Sequence, residues 1–155
     1  MTHRLWLLLL ATLGTVACEP WSSGRGTEEA FASYIDLCGF PQSQLVEYGP
    51  DGRYFGRLQV GQRIPLELTG DTGRVQTVSW RAGNPYAPHA PVVRLTPTGR
   101  FTATLEAVAA GGDDPGDYVW VSADLTFSDG SGRGVGLEAC ERGSFTPVER
   151  VVVVP

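Results

Sequence analysis

One histidine, His89, lies in the run Ala87-Pro88-His89-Ala90-Pro91; the other, His3, is close to the N-terminus. A zinc centre takes three or four protein ligands, so a single loop imidazole is too few to build one. Ser131 stands between Gly130 and Gly132. A nucleophile elbow needs Gly-x-Ser-x-Gly between a strand and a helix, whereas this serine falls in a turn between two alternating runs. The glycines from Gly130 to Gly136 lack the lysine and following helix of a phosphate loop. Asp113, Asp114 and Asp117 crowd one segment. Calcium takes six to eight oxygens, but Pro115 interrupts the spacing of a known calcium loop, so a solvated acidic loop is the simpler reading and calcium binding stays open. No paired carboxylates or histidine-based triad stand out. The expectation is therefore a non-catalytic protein with no cofactor and no metal, a small envelope hydrolase being the weakest alternative.

Aromatic residues offer another kind of site. Tyr118 and Trp120 alternate with Val119 and Val121, so as a strand they share the face opposite the valines. An exposed pair of this kind stacks on sugars or anchors a protein partner. Alternatively, segments 28–38 or 45–55 cover them, since Phe31, Ile35 and Leu45 also need burial. Trp80 alternates with Val78 and is read as core; Trp21 lies in a polar stretch.

The N-terminus reads Met1-Thr2-His3-Arg4, then an apolar run from Leu5 to Ala17, then Cys18. As a helix this run spans about 20 Å, short of the roughly 30 Å hydrocarbon core, so it reads as an export signal rather than a membrane span. Thr15-Val16-Ala17-Cys18 resembles the lipobox of bacterial lipoproteins. That resemblance implies cleavage before Cys18 and lipid on its sulfur. The family usually has Leu where Thr15 stands, which leaves ordinary cleavage after Ala17 as the alternative. Glu19, rather than Asp, favours the outer over the inner membrane in that family. The chain has three cysteines, and an odd count in an exported protein wants an explanation. With Cys18 lipidated, Cys38 and Cys140 are left as one pair, either a disulfide or two buried thiols.

Charge fits this address. All 12 basic residues are arginine. Beyond residue 17 there are 11 of them against 17 acidic residues, a net charge of −6. No basic stripe exists to neutralise phosphates, which excludes nucleic acid as the expected partner. Anionic lipid would not attract this chain, so membrane attachment must come from a covalent anchor.

The elements follow from spacing. Glu19 to Gly26 is polar and rich in Gly and Ser, a tether. Phe31, Tyr34, Ile35 and Cys38 have the i, i+3, i+4, i+7 spacing of a helix over 28–38, with Thr27 as its cap and Gly39 and Pro41 as its stop. From Leu45 the pattern becomes short period-2 runs. Gly49-Pro50-Asp51-Gly52 turns between Leu45–Tyr48 and Arg53–Phe55. Ile64, Leu66 and Leu68 alternate next, then Val78 and Trp80, and Val93 and Leu95. Phe101 to Ala107 and Val119 to Phe127 follow, then Val135 to Cys140 and Val148 to Val154. Strands this short and evenly spaced predict an all-β sandwich, with no room for helical crossovers.

Residues from about Leu58 to Val154 resemble the group 2 bacterial immunoglobulin-like domains of intimin- and invasin-type surface proteins. The matching pieces are Val60-Gly61-Gln62 before an alternating strand, Val78-Ser79-Trp80, the segment Leu95 to Ala103, and a final valine-rich strand. The family's Ala-Gly-x-Ala-x-Ile segment begins at Val108-Ala109-Ala110-Gly111 but is interrupted by the acidic loop. The resemblance implies an Ig-like antiparallel β-sandwich serving adhesion or scaffolding, and it carries no catalytic residues. The expected organisation is a cleaved signal peptide over 1–17, a tether over 18–26, a short helix and hairpin over 27–57, and the sandwich over 58–155. The expected function is a lipid-anchored scaffold or binding module of the cell envelope. Its partners are the membrane, through the anchor, and an envelope protein or polysaccharide. The alternative is a carbohydrate- or peptide-binding lipoprotein using Trp120 and the 84–91 loop.

Overall fold

The computed structural model describes residues 35–83, 91–113 and 118–155. Eleven strands account for most of them: β1 (Ile35–Cys38), β2 (Leu45–Tyr48), β3 (Arg53–Gln59), β4 (Arg63–Gly70), β5 (Val75–Gly83), β6 (Val93–Pro97), β7 (Thr102–Ala107), β8 (Trp120–Phe127), β9 (Gly132–Glu141), β10 (Ser144–Pro147) and β11 (Arg150–Val154). Alternation decides their faces. In β4 the buried residues are Ile64, Leu66 and Leu68, and in β8 they are Val121, Ala123 and Leu125. Each such strand buries one face and leaves the other wet, as antiparallel strands of a sandwich do.

The main sheet runs β5-β8-β9-β1-β4-β7-β6. It is two layers joined at one place. Residues Gly132–Gly136 of β9 pair with β8, while Leu137 and Glu138 pair with β1. One layer is therefore β5-β8-β9 and the other β1-β4-β7-β6, with β1 as the joint. The outermost strands, β5 and β6, approach each other, so the sheet folds over a single core. Three strands facing four around one core make an all-β sandwich.

Two expectations change. The helix over 28–38 is replaced at its end: Ile35–Cys38 form a strand, and the remainder of that segment lies outside the described residues. Ile35 and Leu37 alternate inward, 2% and 0% exposed, and β4 and β9 satisfy both edges of the backbone. Tertiary pairing overrides a local helical spacing here. Secondly, not every pair is antiparallel, because β1 runs parallel to β9 and β11 runs parallel to β3. Residues 57 and 58, between which the sandwich is expected to begin, both lie in β3.

Residues 45–59 are built into the fold by the end of the chain. A small sheet runs β11-β3-β2. On its other side β11 bridges to Gly111 and Val119. Val151, Val152 and Val153 are all buried, the continuous apolar run of a strand covered on both faces. Phe40, 2% exposed, wedges this small sheet to the sandwich. Its ring occupies the space above Gly56, where an added Cβ would lie 2.3 Å from the ring.

Candidate functional site

The sandwich positions the chemically notable side chains in three places. The first is the joint. Cys38 and Cys140 form a disulfide, with Cα atoms 5.4 Å apart, so the two sulfurs do pair. They line an open groove of about 540 Å³ with Thr69, Thr102 and Phe145, the last 54% exposed. Cys38 Sγ also lies 3.3 Å from Thr69 Oγ1. Glu138 stands opposite Cys38 across the parallel ladder. One of its oxygens is buried with no hydrogen-bond partner among the described residues. Burial, then the charge of Asp36, pushes its carboxyl above the usual range, while Arg133 opposes this. The folded chain thus holds the Glu138 proton more tightly than the unfolded chain. The resulting stability is present below the ordinary carboxylate range and is lost as pH rises through the raised value. Glu138→Gln should therefore raise the melting temperature at pH 7 and change it little in acid. A lower melting temperature at pH 7 would contradict this.

The second place is the seam where β5 and β6 meet. Trp80, Arg81, Leu95, Trp120 and Ser122 line a groove of about 630 Å³ there. Trp80 packs on the inner face, opposite Ala123, but is only half-buried. Its alternation with Val78 predicts a core residue, but an end strand leaves one side of the ring uncovered. Trp120, on the outer face, is 39% exposed. Arg81 pairs with Asp124 at 2.6 Å nearby.

The third place takes Tyr118 away from Trp120. The Arg150 guanidinium carbon lies 3.9 Å from the Tyr118 ring centroid, 5.0 Å from that of Tyr48 and 5.4 Å from that of Phe55. Tyr48 also donates a hydrogen bond to Glu149, next in the chain to Arg150. The 45–55 hairpin and β11 thus engage Tyr118, while Trp120 faces the seam, so the two do not form one aromatic platform. Sequence reading missed Arg150 because its three rings come from two distant segments. Cation–π contacts of this kind contribute roughly 0.5–2 kcal/mol. Arg150→Gln should cost about 1–2 kcal/mol in urea unfolding, and an unchanged midpoint would show the rings pack without the cation.

The remaining candidates carry less. Ser131 donates from both its backbone N–H and its hydroxyl to Asp129 Oδ1, at 2.9 and 2.6 Å, and Asp129 pairs with Arg74. These bonds, first those from Ser131, hold the Asp129 carboxyl below its usual range. Ser131 is thus a turn residue. Asp113 is exposed, whereas Asp114, Asp117, His89, Trp21 and Cys18 lie outside the described residues. Among the described residues no three His, Cys, Asp or Glu side chains are grouped to hold a metal, and no helix is long and apolar enough to cross a membrane. No protein-family model matches the chain, and no curated protein shows significant similarity to its sequence.

Proposed function

We propose that this chain is a lipid-anchored Ig-like module of a bacterial cell envelope, held by lipid on Cys18 and acting as a scaffold or binding domain rather than a catalyst. The pairing of Cys38 with Cys140 is the observation that carries the reading, because the sequence has three cysteines and this pair accounts for two of them, leaving Cys18 as the third. The lipobox-like run ending at Cys18 gives that thiol a use. Lipid attachment contributes roughly 0.8 kcal/mol per buried CH₂, enough for durable anchoring when more than one chain is present. Cell fractionation tests this: the native chain should follow the membranes and extract only with detergent, while Cys18→Ala should appear in the soluble fraction. A native chain that washes off with salt would overturn it.

The seam favours a second reading within the same class, contact with a sugar or peptide through Trp80 and Trp120. Indole faces beside an arginine and a serine suit a carbohydrate's mixed surface. Trp120→Ala should then weaken retention on envelope polysaccharide at least tenfold without lowering the melting temperature. Equal retention would remove this reading.

A further inference from the structure

β1 occupies a singular place. It is the first described strand, the one reached by any pull arriving from the N-terminal side. It is also the joint between the two layers, lying between β9 and β4. Its own hold is short: four residues pair with β4 and only two with β9. Peeling it away would uncover Ile35 and Leu37 and separate the β5-β8-β9 layer from the β4-β7-β6 layer at their shared edge. Tension entering at Ile35 meets the hydrogen bonds of β1 one after another, and such short ladders open locally at low cost. The disulfide sits at the far end of the same strand and ties it to β9 across a sequence separation of 102.

We propose that the Cys38–Cys140 bond is a tension clamp. It passes pull from the N-terminal tether onto β9 covalently, so that peeling begun at Ile35 stops at Cys38 and the two layers stay together. The clamp rests on the reading of Cys18 as the anchor point. A partner held at the surface of the sandwich would then drag against a covalent link rather than a four-residue ladder. A staple meant only to restrict the unfolded chain could close a long loop anywhere. Its position on the tether-side strand, at the joint, is what makes a tension path.

Single-molecule pulling tests it directly. The chain from residue 18 onward is coupled through a thioether at Cys18 and through a clickable residue replacing Val60, which is 47% exposed in the turn after β3. Force is held constant on one molecule before and after addition of a dithiol, and a maleimide dye reports that the bond has opened. The clamp predicts at most a small step in the oxidised molecule, on the order of 10 Å, as residues 35–37 ahead of the bond yield. After reduction at the same force, a step on the order of 60–80 Å should follow as residues 35–60 are drawn out. A step of that size before reduction would overturn the proposal. So would continued resistance after the dye has reported free thiols, since the pairing and packing of β1, β2 and β3 would then bear the force without the bond. Because the handle is attached chemically, the outcome does not depend on lipidation in the cell. Failure of the anchor would show instead in the fractionation experiment.

Discussion

Replacing both bridging cysteines, Cys38→Ala with Cys140→Ala, should remove about 4–5 kcal/mol of stability at 25 °C. The estimate follows from loop closure: a cross-link restricts the unfolded chain more as the loop it closes lengthens. Here the bridged residues are 102 positions apart. Small domains have about 5–15 kcal/mol in total, so the loss would take much of the margin. Urea unfolding read by the fluorescence of Trp80 and Trp120 measures it. Removing both sulfurs together avoids a stray thiol at Cys140. A loss below about 1 kcal/mol would mean that the reduced unfolded chain is already held compact by other contacts.

The second large effect belongs to the wedge between the two sheets. Phe40→Ala should cost about 3–5 kcal/mol, the usual cost of deleting a buried aromatic ring. Gly56→Ala should also destabilise, by about 1–3 kcal/mol, because its new methyl group meets the Phe40 ring at 2.3 Å. The double variant carries the sharper test. With the ring gone, the alanine at 56 fills part of the space left behind, so the two costs should not add. The combined loss should fall short of the sum by at least 1 kcal/mol. Additive losses would show that Phe40 and Gly56 do not share one space, and that β3 is held to the sandwich by its pairing with β11 alone.

How much of this was legible before the fold was known depends on where each signal lives. The alternation of Ile64, Leu66 and Leu68 is local, and the buried face it predicts is the buried face observed. The same holds for Val121, Ala123 and Leu125. The four residues of β1 carry too little pattern of their own to outvote the helical spacing that runs through Phe31 and Tyr34. Its strand state comes from β4 and β9, which are distant in the chain. β10 gave no signal: its one large apolar side chain, Phe145, is exposed, and Pro147 ends it. The valines of β11 announce a strand, but nothing local names β3 as its parallel partner.

The candidate site divides in the same way. The Cys38–Cys140 pair could be anticipated from a cysteine count once Cys18 was given its own role, and the structure places the two side by side. Tyr118 and Trp120 share a face by alternation, but Arg150 draws Tyr118 into a cluster with Tyr48 and Phe55. Trp80 has the alternation of a core residue. Its partial exposure is a property of β5 standing at the end of the sheet order, which a period-2 pattern does not encode.

Intact mass spectrometry of the chain purified from detergent-solubilised membranes reads the state of Cys18 itself. The chain should begin at Cys18 and be heavier than its sequence by a diacylglycerol on the sulfur, with Cys38 and Cys140 still joined when no reductant is added. An unmodified Cys18, a chain that begins elsewhere, or Cys18 found in a disulfide with Cys38 or Cys140 would contradict the lipid anchor.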